Sequence, residues 1–396
     1  MTANPDIFWT FFALVAYAYV LYPAVIWSLS RLFGQKLHPP SITDAELPTA
    51  TLLIAAYNEE AVIADRVENA LRSDYPKDRF RVVVASDGSS DATPQIVSRY
   101  ADRGVTLLDY KSRRGKSSVL NAAMAEVTGD LVLLSDANTH FDPDAPRKLA
   151  RWFRDPSIGA VCGRLVLTDP ATGANADGMY WKYETFLKKC ESRLGALLGS
   201  NGAIYAIRRD QYVPIPPNTI VDDFVIPLLA KLKTDGKIVY DAEAVAREET
   251  AENVAAEFRR RARIGAGGFQ AIALLWRLLD PRHGWVAFTF FSHKILRWLC
   301  PFFLIGMLVT SALLIDRPLY RWLLAAQVAF YLMWPVANLL PTLRGPLKLL
   351  RLAAMFTSMN VALLAGFWRW LRGIRRGTWD RTARLQAPPV AASAEI

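Results

Sequence analysis

Uncharged apolar segments at both ends of the chain constrain its fold more than any other feature. Ile7–Leu29 contains no charged residue, and it is longer than the roughly 20 residues that cross a bilayer as a helix. Three C-terminal segments are also uncharged and of near-spanning length: Trp298–Ile315, Trp322–Leu343 and Leu352–Trp368. The more polar stretch Arg31–Arg297, which has 267 residues, is long enough to bury its own core. The sequence therefore predicts a water-soluble domain between membrane anchors.

The first apolar segment is expected to remain as an uncleaved anchor. Residues Met1–Asp6 carry no Lys or Arg, and the apolar run exceeds the roughly 7–15 residues of a signal peptide. Asp6 precedes the segment, whereas Arg31 and Lys36 follow it. Because basic residues favour the cytoplasmic side, the sequence predicts a multi-pass protein of the inner (plasma) membrane with its soluble domain in the cytoplasm.

Composition narrows the class of protein further. The 396 residues carry a formal charge of +10 and include three cysteines. The sparse, odd cysteine count argues against a disulfide framework and fits a reducing compartment. The positive charge has two explanations, attraction to anionic membrane lipids or binding of an anionic substrate, and both stay open. The sequence shows no RNA- or DNA-binding motif, so no nucleic acid partner is expected.

The middle of the chain alternates predicted strands and helices. Strands are expected at 50–56, 81–86, 105–108, 131–134, 158–167, 203–207 and 238–245, and helices at 61–71, 117–127, 180–198 and 225–232. This alternation favours a parallel sheet of right-handed βαβ units, typical of nucleotide-binding domains. The sequence has no G-x-G-x-x-G motif after the first strand and no Walker A motif, so the dinucleotide and ATPase classes lack their signatures.

The fourth predicted strand ends at Asp136 and Asn138. Ligands of open α/β sheets bind outside the carboxyl ends of the strands. Two oxygen-bearing side chains one residue apart can hold a divalent cation against phosphate oxygens. A turn that follows a strand is the commoner explanation of an isolated D-x-N sequence, so the interpretation depends on the rest of the chain.

Seven short motifs occur in the order found in family-two glycosyltransferases. They are Ala55–Glu60, Asp87–Asp91, Arg114–Lys116, Asp136–Asn138, Gly199–Gly202, Asp222-Asp223 and the Arg-rich Phe258–Ile264. Over residues 48–385 the chain most resembles the membrane-embedded branch that includes synthases of cellulose, hyaluronan, chitin and poly-N-acetylglucosamine. Ser292–Lys294, Arg297-Trp298 and Trp379–Thr382 resemble its membrane-flanking part. The resemblance implies a GT-A-like α/β fold with a mostly parallel sheet, plus N- and C-terminal transmembrane or interfacial helices.

The resemblance also implies a set of site residues. The expected donor-nucleotide residues are Ala56, Tyr57, Glu59, Asp87, Lys116, Asp136, Arg260 and Arg263. Asp136 and Asn138 would hold a divalent cation, Mg²⁺ or Mn²⁺. Asp223 matches the final acid of the family's T-E-D triplet and is the expected base, with Asp222 supporting it. The expected acceptor residues are Gly199, Ser200, Asn201, Gly202 and Trp181.

Two positions depart from the family pattern. Asn138 replaces the second acid of the D-x-D motif, so it offers an oxygen without a charge. Ile264 stands where the family's Q-x-x-R-W has Trp, while Arg260 and Arg263 stand at its Gln and Arg. The missing Trp leaves open whether sugars are added singly or processively.

These expectations describe a membrane-bound inverting glycosyltransferase. It would move a sugar from a UDP-sugar to a hydroxyl of a polysaccharide or lipid-linked acceptor, with a carboxylate taking the hydroxyl proton. Four candidate spans are few for a polymer pore, although an oligomer or an export partner could add more. The alternative is a non-catalytic membrane transport subunit or a nucleotide-sugar sensor.

The expected domain order follows from the apolar segments and the motifs. It comprises an anchor at 1–32, a linker at 33–48, a glycosyltransferase domain at 49–283, an interfacial helix at 284–297, membrane helices at 298–371 and a basic tail at 372–396. One N-terminal and three C-terminal spans would place the basic tail outside, against the positive-inside tendency. The side of the membrane that the tail occupies therefore stays open.

Overall fold

The computed structural model of the chain describes residues 4–168, 178–249, 254–339 and 348–374. The strands are β1 (Ala50–Ala56), β2 (Phe80–Asp87), β3 (Val105–Tyr110), β4 (Leu131–Asp136), β5 (His140–Phe141), β6 (Ile158–Thr168), β7 (Tyr205–Arg208) and β8 (Lys237–Glu249). The α-helices of the N-terminal half are α1 (Pro5–Ala16), α2 (Tyr22–Leu32), α3 (Ile63–Leu71), α4 (Thr93–Ser98), α5 (Lys116–Glu126), α6 (Ala145–Ala150) and α7 (Met179–Arg193). The others are α8 (Asp222–Thr234), α9 (Val254–Leu275), α10 (Trp285–Thr289), α11 (Leu296–Leu313), α12 (Pro318–Leu339) and α13 (Lys348–Leu371).

The strands form one sheet in the order β3-β2-β1-β4-β7-β6-β8-β5. Its first half is parallel, with β1 between β2 and β4, and β7 then pairs antiparallel with both β4 and β6. β6 and β8 are parallel again. The prediction of a mostly parallel sheet is confirmed, and the antiparallel β7 marks the place where the sheet departs from a simple βαβ series.

The register of the parallel half brings three strand ends to one edge. Ala55 of β1 lies opposite Asp136 of β4, and Ala56 lies opposite Ser86, the residue before Asp87. All seven residues of β1 are buried. Its alternate residues enter separate cores on the two faces, Leu53 in one and Leu52 in the other. A sheet covered on both faces needs such continuous apolar strands, which leaves its polar residues at the strand ends.

Several predicted boundaries are corrected by a few residues. α8 begins at Asp222 rather than at 225, and α7 ends at Arg193 rather than at 198. β8 continues to Glu249, four residues past the predicted end. The extension matters because it carries Glu248 to the edge of the sheet where β4 ends.

Two helical runs within the described residues are long and apolar enough to cross a membrane, Pro5–Leu32 and Trp285–Leu313. Each run contains a short π-helical segment, Tyr17–Leu21 in the first and Phe290–Ile295 in the second. The predicted interfacial segment at 284–297 and the first predicted C-terminal span therefore form one continuous run.

The remaining predicted spans, at 322–343 and 352–368, correspond to helices α12 and α13. Neither reaches the apolar character of the first two runs over its described residues. α1 packs against the C-terminal helices through Phe8, Met307 and Tyr320. Trp379–Thr382 and the rest of the predicted tail beyond Ile374 lie outside the described residues.

Candidate active site

Lys116 joins the two groups of acidic residues that the sequence singles out. Its Nζ lies 2.8 Å from Asp136 Oδ1 and 3.1 Å from Asp222 Oδ2. Lys116 is the first residue of α5, Asp136 ends β4, and Asp222 opens α8. Burial lowers the pKa of Lys116, but the carboxylates of Asp136 and Asp222 outweigh it and raise the pKa overall. Lys116 therefore places a permanent positive charge between Asp136 and Asp222.

Asp223 is held beside this group by the loop that precedes β7. The backbone N–H of Gly202 donates to Asp223 Oδ2 at 2.8 Å. A Cβ atom at Gly202 would lie 3.3 Å from Asp136 Oδ2 and 3.7 Å from Asp223 Oδ2. Both carboxylates thus border the same small space, and the missing side chain of Gly202 keeps that space clear.

The protonation of Asp223 is shifted towards neutral pH. Burial and the neighbouring Asp222 raise its pKa from the ordinary 3.8 to about 6, although Lys116 acts in the opposite direction. A carboxylate with such a pKa is ionised at pH 7 and still accepts a proton readily, which is what a general base requires. The structure thus gives Asp223 the environment expected of the predicted base.

Asp87 organises the basic loop in front of the strand ends. Its carboxylate is fully buried and accepts hydrogen bonds from the backbone N–H groups of Arg114, at 2.6 Å, and Gly115, at 2.8 Å. Gly88 has a φ of +65°, and a Cβ there would lie 2.6 Å from the Arg113 nitrogen. Asp87 therefore fixes the loop that leads into Lys116, a structural role that accompanies its predicted place in nucleotide binding.

The other predicted nucleotide residues follow β1. Ala56 ends the strand, and the guanidinium carbon of Arg113 lies 3.9 Å from the centre of the Tyr57 ring. Glu59 is buried, and its backbone N–H donates to Thr93 Oγ1 at 2.8 Å. The Tyr57 ring and the 113–116 loop together form one wall beside the carboxyl ends of β1 and β2.

Asn138 is held by a residue that the sequence analysis did not select. Its amide nitrogen donates to Glu248 Oε1 at 2.7 Å. The side chains near the end of β4 thus offer oxygens from Asp136, Asn138 and Glu248, which are the hard ligands that Mg²⁺ and Mn²⁺ prefer. Within the described ranges, no three His, Cys, Asp or Glu side chains gather closely enough to hold a metal unaided. This donor set fits a cation that takes its remaining ligands from a substrate diphosphate.

The two predicted arginines of α9 have different surroundings. Arg263 is half-buried. Burial and the neighbouring Arg260 lower its pKa overall, although Asp222, Asp136 and Asp223 act in the opposite direction. Arg260 is exposed and pairs with Glu257 at 2.9 Å. Arg263 therefore belongs to the electrostatic neighbourhood of the acids, and Arg260 lies on the outer side of the helix.

The predicted acceptor loop Gly199–Gly202 lies against the start of α8. The backbone N–H of Ser200 donates to the carbonyl of Asp223 at 3.0 Å, and Lys188 Nζ donates to Asn201 Oδ1. Gly199 has a φ of +72° and packs against Phe224. Trp181 lies in the first turn of α7, about two turns before Lys188. The loop is thus built into the site, whereas Trp181 is a half-buried residue of α7.

Sequence reasoning missed three polar residues near the site, Glu248, Lys188 and Arg66. Arg66 is fully buried, and its Nη1 donates to Asn69 Oδ1 at 2.9 Å. Burial lowers the pKa of Arg66 to about 9, and the charge of Asp136 opposes that change. Helical spacing was the available signal for Arg66, because it falls on the same buried face of α3 as Ile63, Val67 and Ala70. A charged residue at a core position needs an explanation.

Comparison with known proteins identifies the domain. Residues 51–211 match the family model described as "Glycosyl transferase family 2". The chain contains a family 2 glycosyltransferase domain. The matched range includes Asp87, Lys116, Asp136 and Gly202, whereas Asp222 and Asp223 lie just beyond it. Asp222 and the predicted base Asp223 are joined to the matched domain by the contacts of Lys116 and Gly202.

Two curated relatives are similar to this chain. It is 28% identical over 278 residues to a beta-monoglucosyldiacylglycerol synthase of Synechocystis, which covers 66% of this chain. It is 27% identical over 241 residues to a poly-beta-1,6-N-acetyl-D-glucosamine synthase of Staphylococcus aureus, which covers 59% of this chain. The aligned regions span 58% of the length of each relative.

A solved structure supports the GT-A-like fold. A mannosyltransferase from Pyrobaculum calidifontis, in complex with GDP-Man and Mn²⁺, superposes with a TM-score of 0.71 at 22% identity. The superposition covers 92% of this chain and 99% of that protein. The likeness establishes a shared fold for the family 2 domain and its flanking helices.

Proposed function

We propose that the chain is a membrane-bound inverting glycosyltransferase that moves a sugar from a UDP-sugar to a hydroxyl of a lipid-linked or glycan acceptor. The observation that carries the proposal is the position of Lys116 between Asp136 and Asp222, with Asp223 held next to them by Gly202. One cation and three carboxylates, gathered from the end of β4 and the first turns of α5 and α8, suit a reaction in which a diphosphate leaves and a hydroxyl loses its proton.

The acceptor and the leaving diphosphate would lie on opposite sides of this group of charged residues. The acceptor hydroxyl would attack the anomeric carbon while Asp223 takes its proton. The bond from that carbon to the diphosphate oxygen would break on the opposite face, which inverts the anomeric centre. Lys116 and Arg263 would stabilise the negative charge that develops on the departing UDP.

The donor set at β4 supports a divalent cation as cofactor. Asp136 and Asn138 would hold Mg²⁺ or Mn²⁺, with Glu248 beside Asn138. A bound cation would neutralise charge on the diphosphate. On the nucleotide side, Asp87 positions the 113–116 loop, and Tyr57 and Glu59 would hold the base and the ribose.

The names of the relatives point to two acceptor classes. One relative is named as a synthase of a glycolipid and the other as a synthase of a polysaccharide. The two apolar runs Pro5–Leu32 and Trp285–Leu313 support attachment to a membrane. In keeping with the charge distribution at the N-terminal run, we place the catalytic domain on the cytoplasmic face of the inner membrane.

UDP release by the full chain tests the proposal. Purified protein in detergent would be supplied with Mn²⁺, membrane lipid extract and each of a panel of UDP-sugars, with GDP-mannose as a comparison. We expect UDP release and a labelled product with at least one UDP-sugar. The anomeric configuration of that product, read by NMR, should be opposite to that of the donor.

Two variants of the same kind separate catalysis from folding. Asp223→Asn should reduce turnover by at least about 100-fold while donor binding is retained. Asp235→Asn is the matched control, because Asp235 lies at the other end of α8 in the left-handed conformation that Asn tolerates. Donor binding with no turnover by the wild-type chain would favour the alternative of a nucleotide-sugar sensor, and equal turnover of both variants would remove Asp223 from the mechanism.

A further inference from the structure

A groove on the catalytic domain runs along the C-terminal half of α8. It is closed on its other sides by the segment 212–214 and by the end of α9 with the 3₁₀ turn Trp276–Leu279 that follows. Its volume is about 590 Å³, which is within the range of ligand-binding clefts. Its lining includes Leu229, Leu232, Leu274, Trp276, Lys233 and Arg277. The groove thus combines aliphatic side chains, one aromatic ring and two cations, and the proposed reaction uses none of them.

The groove lies beside the level at which both apolar runs meet the catalytic domain. The rings of Phe33 and Trp285 are 5.7 Å apart, so the end of the first run and the start of the second lie side by side. The turn Trp276–Leu279 packs against α10, the first helix of the second run. Trp276 is 61% exposed and Phe33 is 62% exposed. Exposed aromatic residues next to apolar runs are typical of the boundary between water and lipid, so the groove is accessible to lipid headgroups.

Lys233 and Arg277 line this groove without a salt bridge to any described residue. Lys233 Nζ donates to the backbone carbonyl of Asp210 at 3.2 Å, and the Asp210 carboxylate forms no salt bridge with it. The carboxylate of Asp280 accepts a hydrogen bond from the backbone N–H of Arg282 at 2.9 Å, so it belongs to the next turn. Both cations are exposed, and exposed cations beside a bilayer attract anionic lipids.

The combination of leucines and cations favours an anionic lipid over other occupants. Leu229, Leu232 and Leu274 are half-buried and offer aliphatic surface to an acyl chain. A soluble anion would leave this apolar surface in water, which is unfavourable. A second copy of the chain would bring a formal charge of +10 towards two cations, and like charges repel. A phospholipid with a negative headgroup satisfies both halves of the groove.

We propose that the groove binds an anionic phospholipid of the surrounding leaflet, with its phosphate on Lys233 and Arg277 and one acyl chain along the three leucines. This lipid is distinct from the acceptor. Lys233 follows Asp223 by ten residues on α8, which is roughly 15 Å along a helix and farther than a phospholipid headgroup spans. The bound lipid would hold the C-terminal half of α8 at the membrane surface, while the first turn of the same helix carries the proposed base.

Photo-crosslinking in lipid nanodiscs tests the site without requiring turnover. The full chain would be placed in phosphatidylcholine nanodiscs that contain a small fraction of a lipid with a diazirine on its acyl chain and either a phosphatidylglycerol or a phosphatidylcholine headgroup. Mass spectrometry of the digested protein should find the label on the peptides that contain Leu232 and Leu274. Labelling should be at least about fivefold stronger with phosphatidylglycerol, as expected for one contact between a cation and an anionic lipid.

Three variants assign the headgroup preference to the groove. Lys233→Met and Arg277→Met should each reduce the preference for phosphatidylglycerol by about fivefold, and the double variant should abolish it. Arg282→Met is the matched control, because Arg282 is an exposed cation of the neighbouring turn and does not line the groove. It should retain the preference. All three positions are exposed, so the thermal unfolding midpoints should be unchanged.

Four results would overturn the proposal. Equal labelling of the wild-type groove by both headgroups would show apolar contact alone, and this comparison requires no variant. Retention of the preference in the double variant would remove Lys233 and Arg277 from the site. An equal loss in Arg282→Met would show unspecific charge attraction. Absence of label from the groove would exclude a lipid, and the protein stoichiometry of the nanodiscs would then show whether a second copy covers this face. A failure of UDP release by the wild-type chain would contradict the proposed function and leave this lipid site standing.

Discussion

Asp223 accepts a hydrogen bond from the backbone N–H of Gly202 at 2.8 Å, so the first turn of α8 is tied to the loop that precedes β7. The same glycine lies beside Asp136. Gly202, which has no side chain, thus sets the distance between the carboxylate of Asp136 on the donor side and the carboxylate of Asp223, the proposed base. The spacing of these two acids therefore depends on the loop, and not only on β4 and α8.

Gly202→Ala should therefore damage activity more than stability. The added methyl group would lie 3.3 Å from Asp136 Oδ2 and would push apart groups that must be placed to within about 1 Å, so we expect a loss of kcat of about ten- to a hundredfold. Steady-state UDP release and the thermal unfolding midpoint would be measured together. Gly178→Ala is the control, since a Cβ there meets no described residue within 4 Å. Unchanged kcat in Gly202→Ala would show that this space is not used in the reaction.

The rate of transfer should follow the ionisation of Asp223. As the base acts in its ionised form, kcat/KM should rise with pH through about 6, the value to which burial and Asp222 raise the pKa of Asp223. Asp222→Asn removes a like charge and should move this rise to lower pH. Lys116→Met removes a cation that lowers the pKa and should move the rise to higher pH. Shifts in the same direction for both variants would contradict the assignment.

The raised pKa of Asp223 also predicts a stability effect. Because the pKa is higher in the fold than the ordinary 3.8, the protonated form stabilises the fold below pH 4, and this stabilisation is lost as pH rises through about 6. Asp223→Asn cannot ionise, so at pH 8 it should be more stable than the wild type by about 1–3 kcal/mol. Thermal unfolding at pH 8 and pH 4 would show the gain at the higher pH alone. An equal gain at both pH values would point to packing and not to charge.

The parallel half of the fold was predictable from local pattern. Continuous apolar strands separated by helices specify βαβ units, and the polar residue at each strand end then belongs to one edge of the sheet. Asp87 and Asp136 follow directly from this rule. The rule also accounts for Lys116, which begins α5, the helix that connects β3 to β4. β3 ends beside Asp87, and β4 ends at Asp136.

The contacts that complete the site required the tertiary structure. Asp222 meets Lys116 because β7 enters the sheet antiparallel beside β4, and nothing in the local sequence fixes that strand order. Glu248 was missed because β8 runs past Val245 into a charged stretch that lacks an apolar pattern. Lys188 is one of two adjacent lysines, and only helix orientation distinguishes it from the exposed Lys189.

Glu248 should tune the response to the divalent cation. It accepts a hydrogen bond from the Asn138 amide at 2.7 Å, so it orients a predicted metal ligand and brings a negative charge beside it. Loss of a residue that holds a metal ligand in this way changes metal affinity by about 10- to 100-fold. Glu248→Gln should therefore raise the Mn²⁺ concentration for half-maximal UDP release by at least about tenfold, with a smaller change in the maximal rate. Glu249→Gln makes the same substitution on the opposite face of β8 and should leave the Mn²⁺ dependence unchanged. If Glu248→Gln and Glu249→Gln respond alike to Mn²⁺, the cation does not bind next to Asn138.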